Sequence, residues 1–503
     1  MATLNPRPYT IEEYTRTVCP QCAETGLRAD DPNTFVDGML VAHDGAIWMR
    51  RFCPRHGESE SLYEQDADLW RDRAGWQTPT LAVTPDRADN FGGFPSGYRD
   101  GLPASHGQHS CILLLNITEN CNFRCPTCYA SALDPGAPAT DRPTLEELLH
   151  TVDTMIEREG GKLSVCMLSG GEPTLRRDLD VLIEKLSERA ITRIMLNTNG
   201  RRIAKDPQFL EFLKRYRQKV EVYLQFDGLE DRTYELLRGE LLAQEKLSIL
   251  RLLNDAGIFT TLVMTVKQGV NEHELKPVFD LGLATPYCSG IAFQPVFGSG
   301  RGSGIDPRDR LTPTGVMKAL GAAGDFVPLP CSHRDCCDIA YFLKDKKGSW
   351  KSLVSLVGRE EMKRWIHLAA NSISFENVRE SVRAMVQDGT LQRVLSEQQR
   401  VSSLQLAWDV VKMCDCVPGV RDLFTSWWPG QKEPHLEELA TNTFRVTVKM
   451  FMDAHTFHEA RIRQCCVHVG TFEEDPRRYS FCWKWLFDDA TDFPVRNSNL
   501  RVV

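Results

Sequence analysis

The stretch NITENCNFRCPTCYA, residues 116–130, decides how the rest of the chain is interpreted. Its three cysteines, Cys121, Cys125 and Cys128, are separated by three and two residues, and Tyr129 directly follows the last one. Three thiolates on one short loop can surround a cubane iron–sulfur cluster, which needs four ligands to be fully ligated. Such a motif leaves one iron open for a small molecule. The alternative is a zinc knuckle whose fourth ligand comes from a distant part of the chain.

Near-continuous apolar runs alternate with amphipathic stretches from this motif onward. The predicted strands are 111–118, 163–168, 192–197, 221–226, 260–266 and 290–296. The predicted helices between them are 144–158, 177–189, 207–217, 231–255 and 271–282. Apolar strands that alternate with amphipathic helices indicate a parallel sheet covered by helices. The predicted fold is therefore α/β, a partial (β/α)6 barrel with its chemistry at the carboxyl ends of the strands.

Polar or glycine-rich segments follow the second, third and fourth predicted strands. They are Ser169-Gly170-Gly171-Glu172-Pro173, Asn197-Thr198-Asn199-Gly200 and Gln225-Phe226-Asp227-Gly228. Two glycines let the backbone approach a ligand closely, and a carboxylate can accept hydrogen bonds from an ammonium group. Each segment alone also fits an ordinary turn. Their recurrence at successive strand ends predicts one pocket at that edge of the sheet.

With these motifs in this order, the chain resembles the radical S-adenosylmethionine (SAM) superfamily. The resemblance implies that the three cysteines hold a catalytic [4Fe–4S] cluster, whose open iron binds the amino and carboxylate groups of SAM. Reductive cleavage of SAM then gives a 5′-deoxyadenosyl radical that abstracts hydrogen. The resemblance also implies that SAM, or for Gln294 the substrate, contacts the following residues: Tyr129, Gly170, Gly171, Glu172, Pro173, Asn197, Asn199, Gln225, Asp227, Arg238 and Gln294.

A second metal site is predicted near the N-terminus. Cys19-x2-Cys22 and Cys53-x2-His56 form two knuckles about thirty residues apart. Paired Cys/His knuckles are typical of a tetrahedral site for zinc or a rubredoxin-like iron. Zinc would make this site structural, whereas iron would suggest electron delivery to the barrel. The sequence leaves both open.

The C-terminal third carries further cysteines, which predict one or two auxiliary iron–sulfur clusters. The first predicted ligand set is Cys331, Cys336, Cys466 and Cys482, and a weaker set is Cys337, Cys414, Cys416 and Cys465. Inert thiols are the alternative, because free cysteine is often buried. That interpretation is applied to Cys111, Cys166 and Cys288, which lie in apolar strand-like sequence.

The whole layout resembles one branch of the superfamily, that of the archaeal tetraether lipid synthase and the related methanopterin-precursor methylase. The resemblance implies hydrogen abstraction from an unactivated C–H group and formation of a C–C bond on a lipid-like or other small molecule. A methylase of a pterin-like molecule is the alternative. A non-catalytic iron–sulfur or zinc protein is a third possibility, but it would need neither an open iron nor the Gly-Gly-Glu-Pro segment.

Composition limits the remaining possibilities for the 503-residue chain. A net charge of −8 gives no electrostatic reason to expect a nucleic acid partner. We expect a cytoplasmic enzyme, because no apolar stretch approaches the length of a membrane span and the N-terminus lacks a secretory pattern. The expected partners are the substrate and an electron donor such as a flavodoxin or ferredoxin. Trp427 and Trp428 suggest peripheral membrane contact.

Four segments are predicted. They are a metal-knuckle domain at 1–75, a linker at 76–108, the barrel at 109–304 and a cysteine-bearing region at 305–503. The C-terminal region is expected to contain helices near 357–369, 376–388 and 390–412. The glycine-rich segment 297–312 follows the last barrel strand, and we expect it to form part of a closure over the pocket.

Overall fold

The computed structural model describes residues 8–24, 26, 33–76, 80, 83–137, 143–302, 305–365 and 436–487. Cys414, Cys416, Trp427 and Trp428 lie outside these residues, as do the predicted helices 376–388 and 390–412. Among the described helices, none is both long and apolar enough to cross a membrane.

The N-terminal part is a four-stranded antiparallel sheet with its strands in sequence order. These strands are β1 (Thr10–Val18), β2 (Phe35–His43), β3 (Ala46–Cys53) and β4 (Gly57–Glu64). The short helices α1 (Pro20–Glu24) and α2 (Ala67–Asp72) accompany it. Leu40, Ile47, Met49 and Trp70 form a small core of its own. Arg51 joins this sheet to the rest of the molecule by donating to the carbonyls of Ala454 and His455, at 2.9 and 2.8 Å.

The second sheet contains twelve strands. Its first six are β5 (Ile112–Thr118), β6 (Leu163–Gly170), β7 (Ile191–Thr198), β8 (Val220–Gln225), β9 (Thr260–Val266) and β10 (Cys288–Pro295). The others are β11 (Val327–Pro328), β12 (Cys337–Lys344), β13 (Trp350–Ser352), β14 (Thr443–Lys449), β15 (Val467–Gly470) and β16 (Arg478–Ser480). Strands β5–β10 are parallel neighbours in sequence order, which confirms the predicted α/β barrel core.

Strands from the C-terminal region extend this core at both edges. Strand β14 pairs parallel with β10, and β12 follows β14 antiparallel. At the other edge β15 pairs parallel with β5, and β16 follows it antiparallel. The C-terminal region therefore completes the walls around the barrel interior and does not stand apart from it.

Helices cover the outer face of the parallel strands. They are α3 (Leu145–Arg158), α4 (Leu179–Ser187), α5 (Arg201–Lys205), α6 (Pro207–Arg215), α7 (Asp231–Arg238), α8 (Ala243–Asp255) and α9 (Leu275–Ala284). The remaining helices are α10 (Pro313–Ala319), α11 (Leu353–Val357), α12 (Arg359–Trp365), α13 (Leu436–Thr441), α14 (Glu459–Arg463) and α15 (Phe481–Leu486). The single helix predicted over 231–255 is two helices, because Gly239 adopts a left-handed conformation and ends α7.

Alternating side chains divide the sheet into two apolar layers. Leu113 and Leu115 of β5 face the helices in the main core, whereas Ile112 and Leu114 belong to a second core on the inner face. Trp483 and other aromatic side chains from α15 pack into that inner core. The inner face is therefore closed by C-terminal residues, with cavities left between them and the strands.

Candidate active site and metal centres

A cavity lies at the carboxyl ends of the barrel strands. Most of the predicted site residues line it: Cys121, Cys125, Cys128, Tyr129, Gly170, Gly171, Glu172, Asn197, Asn199, Gln225, Arg238 and Gln294. The six barrel strands are adjacent and parallel, so their ends meet at one edge, and the loops that follow them converge on this cavity.

The three motif cysteines lie on the loop after β5 and are spaced for a cluster. In the described part of the chain, the sulfurs of Cys121, Cys125 and Cys128 do not all lie within 4.8 Å of one another. A single ion draws its ligands closer than that, whereas a cubane spreads them over separate irons. The Phe123 amide donates to the Cys121 sulfur at 3.4 Å. Three cysteines on one loop at this wider spacing fit a cluster better than a single ion.

The segment after β10 packs onto this cysteine loop. The Arg301 backbone N–H donates to the Cys128 carbonyl at 2.8 Å, and its side chain donates to the carbonyls of Cys125 and Ala132 at 3.0 and 2.8 Å. A Cβ atom at Gly300 would lie 2.4 Å from the Tyr129 carbonyl oxygen and 2.5 Å from that of Cys128. Part of the predicted closure segment therefore holds the cysteine loop from outside.

The two glycines after β6 are required by a close backbone crossing. A Cβ at Gly170 would lie 2.2 Å from the Thr118 carbonyl oxygen, and one at Gly171 would lie 2.1 Å from that of Asn120. The amides of Gly171 and Glu172 donate to these same carbonyls, each at 2.7 Å. The glycines thus bring the end of β6 against the start of the cysteine loop.

Glu172 lines the cavity and is held there by hydrogen bonds from its neighbours. One carboxylate oxygen accepts from the backbone N–H of Thr174 at 3.0 Å and from the hydroxyls of Thr174 and Thr198, each at 2.6 Å. The other accepts from the Asn199 backbone N–H at 2.8 Å. These four donors orient the carboxylate and tie the end of β6 to that of β7, and contact of Glu172 with the SAM ammonium group stays a prediction.

Asp227 and Pro173 are not among the residues that line the cavity, and their contact with SAM stays a prediction. Asp227 is fully buried and accepts from Arg238 at both oxygens, at 2.6 and 2.7 Å. Burial opposes the charge of Arg238, but Asp227 outweighs it and raises the pKa of Arg238. The Gln225 side-chain oxygen accepts from the same guanidinium at 2.8 and 3.0 Å. Pro173 begins a short 3-10 turn below the cavity wall.

Several other residues that line the cavity were not predicted from the sequence. They include Tyr223 on β8, Lys449 at the end of β14, and the aromatic residues Phe451 and Phe481. The Tyr223 hydroxyl accepts from the Gln294 side chain at 3.1 Å and lies 3.5 Å from the Lys449 ammonium nitrogen. A strand-like alternation, TFRVTVK at 443–449, was the available signal for β14. Its position beside β10 could not be inferred from that alternation.

The N-terminal knuckles converge as predicted. The ligand atoms of Cys19, Cys22, Cys53 and His56 all lie within 4.8 Å of one another. The Cys22 and Cys53 sulfurs are 3.8 Å apart, and His56 Nδ1 lies 3.4, 3.5 and 3.6 Å from the sulfurs of Cys19, Cys22 and Cys53. Zn–S bonds of about 2.3 Å and Zn–N bonds of about 2.0–2.1 Å at tetrahedral angles place two sulfurs about 3.8 Å apart, and a sulfur and a nitrogen about 3.6 Å apart. The four donors thus have the spacing of one tetrahedral ion.

The structure places three of the four main predicted auxiliary ligands around one cavity and the fourth outside it. A second cavity adjoins the first, and its wall includes Cys336, Cys337, Cys465, Cys466 and Cys482. Cys331 does not line it, and its sulfur contacts that of Cys466 at 3.8 Å. The sulfurs of Cys111, Cys331 and Cys466 lie within 4.8 Å of one another, so Cys111, predicted as an ordinary buried thiol, is buried beside two predicted ligands. Cys166 and Cys288 are buried in the main core.

Comparison with known proteins agrees with both predicted centres. Residues 115–282 match the radical SAM superfamily, and residues 11–65 match the HMPTM N-terminal zinc ribbon domain. The chain therefore contains a radical SAM domain and an N-terminal zinc ribbon, and these two domains imply a [4Fe–4S] cluster, SAM and zinc as cofactors.

Among curated proteins, a full-length relative is the 7,8-dihydro-6-hydroxymethylpterin dimethyltransferase of Methanocaldococcus jannaschii. It is 25% identical over 94% of this chain and 93% of its own. The GTP 3′,8-cyclase of Tolumonas auensis is 33% identical over 32% of this chain and 47% of its own.

Among solved structures, a radical SAM methyltransferase from Sphaerobacter thermophilus matches with a TM-score of 0.31 and 13% identity. That match covers 63% of this chain and 75% of the other. SuiB of Streptococcus suis, bound to S-adenosylmethionine, matches with a TM-score of 0.35 and 14% identity over 43% and 47% of the two chains.

Proposed function

We propose that the chain is a radical SAM methyltransferase that acts on a pterin-like heteroaromatic molecule. The observation that carries the proposal is the polar group of Tyr223, Gln294 and Lys449, which lines the wall of the cavity. The full-length likeness to a dihydropterin dimethyltransferase supports the same substrate class.

The Tyr223–Gln294–Lys449 group offers hydrogen bonds of both kinds. Gln294 presents an amide, Lys449 only donates, and the Tyr223 hydroxyl can donate or accept. Burial opposes the charged form of Lys449, but the neighbouring Tyr223 hydroxyl and Cys337 thiol outweigh it and raise the pKa of Lys449. A pterin edge carries ring nitrogens, an amide oxygen and an amino group, and can pair with such a set. An alkyl chain would leave unsatisfied the donors and acceptors that these three groups do not use on one another, at a cost of about 1–3 kcal/mol for each buried group.

Aromatic side chains beside this group suit a flat ring. Phe451 and Phe481 lie 4.4 Å apart between ring centroids, and Tyr129 lies 5.6 Å from Phe481. All three line the cavity, and Phe451 and Phe481 separate it from the second, cysteine-lined cavity. Offset or edge-on packing against such rings favours a planar substrate.

The protein residues divide into two functional groups. Cys121, Cys125 and Cys128 would hold the cluster, and the cofactor pair supplies radical hydrogen abstraction when bound. Arg238, held by Asp227 and Gln225, presents a guanidinium to a carboxylate at the cavity wall. Asn197 and Asn199 add polar groups at the end of β7. Tyr223, Gln294 and Lys449 would orient the substrate on the opposite wall.

Several finer assignments belong to this proposal. The cysteines around the second cavity are proposed to hold an auxiliary cluster, and a flavodoxin or ferredoxin is proposed as electron donor. Formation of C–C bonds on lipid-like chains stays a prediction, and no contact among the described residues favours it over methylation.

The test is an anaerobic assay with reconstituted protein, dithionite, SAM and 7,8-dihydro-6-hydroxymethylpterin. We expect 5′-deoxyadenosine together with a pterin product heavier by one or more methyl groups, detected by mass spectrometry. SAM with a deuterated methyl group shows whether that group comes from SAM. Lys449→Met and Gln294→Leu should reduce methylation while leaving SAM binding intact, with exposed Lys347→Met as the matched control.

The proposed substrate would be wrong if SAM were cleaved but no pterin product formed. Coupled or lengthened alkyl chains in lipid extracts of an overexpressing strain would then support the lipid alternative. Absence of 5′-deoxyadenosine under all conditions would contradict radical SAM activity itself.

A further inference from the structure

A further group of metal-type donors lies where the N-terminal sheet meets the C-terminal region. One ligand atom each from Glu13, His333 and His458 lies within 4.8 Å of the other two. Glu13 belongs to β1, His333 lies between β11 and β12, and His458 directly precedes α14. Three segments that are far apart in the chain therefore bring two imidazoles and one carboxylate together.

His458 is buried in this group with both ring nitrogens unsatisfied. Its exposed fraction is 1%, and neither nitrogen has a hydrogen-bond partner among the described residues. Glu13 Oε1 lies 3.3 Å from His458 Nε2 but accepts no hydrogen bond from it. Bonds of about 2.0–2.1 Å from zinc to nitrogen and about 2.0–2.2 Å from zinc to oxygen, at tetrahedral angles, place two such atoms about 3.4 Å apart. The observed distance therefore fits two ligands of one ion.

Neighbouring residues support the other atoms of Glu13 and His333. Arg334 donates to Glu13 Oε2 at 2.8 Å, which leaves Oε1 for the imidazoles. His333 Nδ1 accepts from the Asp335 backbone N–H at 3.3 Å and lies 3.9 Å from the Asp335 carboxylate, so Nε2 is the nitrogen left for an ion. With an ion on Nε2, Nδ1 carries the proton and can donate to this carboxylate, which is a common support for metal-bound imidazoles.

We propose that Glu13, His333 and His458 bind one zinc ion, with the fourth position open to water. Two imidazoles and one carboxylate with an open position are a donor set that zinc takes in proteins. The Glu13 side chain is 27% exposed, so solvent reaches the group from that side. The ion would fasten β1 to the C-terminal region, in addition to the contacts of Arg51. The inference does not depend on the proposed methyltransferase activity.

A plain ion pair between Glu13 and His458 is the simplest alternative. It needs a protonated imidazole whose N–H points at the carboxylate, and the part of the chain that the structure describes contains no such hydrogen bond. The charge of Arg334 already pairs with this carboxylate. An ion pair would also leave His333 without a role, whereas an ion uses all three donors. Neither imidazole lines the second, cysteine-lined cavity, so this group is separate from the auxiliary ligands.

Metal content of the full-length protein tests the site. Anaerobically purified protein should contain about two zinc ions per chain, one in the ribbon and one here. Glu13→Gln and His458→Gln should each lose one equivalent, because an amide is a much weaker zinc ligand than a carboxylate or an imidazole. Glu12→Gln, at a carboxylate that pairs with Arg71, and His273→Gln, at an exposed position, should lose none. Unchanged zinc in both Glu13→Gln and His458→Gln would overturn the proposal.

A second measurement needs no substitution within the site. In the Cys19→Ser/Cys22→Ser protein, which should lose the ribbon ion, the retained zinc is observed alone by X-ray absorption at the zinc edge. We expect nitrogen and oxygen ligands at about 2.0–2.2 Å and no sulfur at about 2.3 Å. Iron content should be unchanged in Glu13→Gln, which shows that the fold and the clusters remain. No retained zinc, retained zinc with sulfur ligands, or loss of iron instead of zinc in Glu13→Gln would each overturn the assignment.

Discussion

The zinc ribbon and the SAM cavity both use cysteine ligands, but the two sites arrange these ligands differently. In the ribbon, four donors lie within 4.8 Å of one another at the turns of the small N-terminal sheet. In the SAM cavity, Cys121, Cys125 and Cys128 lie on a single loop and are spread more widely. The ribbon donors can be held by their ion. The cysteine loop is held by the protein around it, through Gly170, Gly171 and Arg301.

The distance between the sulfurs therefore indicates whether a site holds a single ion or a cluster, whereas the number of cysteines does not. It also predicts which substitutions matter at each centre. At the ribbon, loss of a ligand should be the damaging change. At the SAM cavity, loss of backbone contacts around the loop should damage the cluster even when all three cysteines remain.

The largest expected effect follows from removing a cluster ligand. Cys125→Ala takes away one of only three thiolates on the loop, so 5′-deoxyadenosine formation should fall to background and iron content should drop. Zinc content should be unchanged, because the ribbon shares no ligand with this loop. Cys288→Ser, in the main core, is the matched control. SAM cleavage at the wild-type rate in Cys125→Ala would contradict the cluster assignment.

The next effect comes from the segment that supports the loop. A methyl group at Gly300 would lie 2.4 Å from a backbone oxygen, whereas the nearest atom to a Cβ at Gly298 is 3.5 Å away. Relieving the first overlap should cost about 2–3 kcal/mol of loop stability. We therefore expect Gly300→Ala to lower cluster retention and SAM cleavage by roughly tenfold to a hundredfold. Gly298→Ala should retain both, and equal iron content in the two variants would show that the loop does not need this support.

Asp227→Asn should have a smaller effect on the same cavity. It replaces the charged partner of the buried Arg238 side chain with a neutral amide, at a cost of about 1.5–3 kcal/mol. The guanidinium should lose its fixed orientation, so the KM for SAM should rise roughly tenfold or more while iron content stays close to wild type. Glu230→Gln, at an exposed position nearby, should change neither quantity. A fall in kcat with an unchanged KM would assign Asp227 to another step.

Much of this arrangement was predictable because it depends on local sequence. The six barrel strands are apolar runs, and their observed ends lie within two residues of the predicted ones. The cavity-lining motifs follow those strands directly, so fixing the strands also fixed the motifs. Contacts between distant side chains could not be predicted in this way. Glu172 bonds to Thr198, and Asp227 to Arg238, through geometry that no local pattern specifies.

The same limit explains the residues missed in the C-terminal region. Lys449 reaches the cavity because β14 joins the edge of the sheet beside β10, more than 140 residues later in the chain. Cys111 meets Cys466 because β15 pairs with β5 in one particular register, Val467 opposite Ile112. Cysteine spacing along the chain shows that metal ligands are present. It does not show which of them meet across a sheet.

The smallest expected effect concerns the ribbon ligand most exposed to solvent. His56→Cys keeps four tetrahedral donors and replaces a nitrogen with a thiolate, so the ribbon should retain its ion. SAM cleavage should stay within about twofold of wild type, because the ribbon forms its own small core and shares no ligand with the cavity. Cys22→Ser is the companion variant that should lose the ion. Its effect on SAM cleavage measures how far the ribbon, anchored through Arg51, supports the barrel. If His56→Cys retained zinc but lost SAM cleavage, the zinc ribbon and the SAM cavity would be coupled. The ribbon ligands would then affect the cysteine loop, contrary to the comparison above.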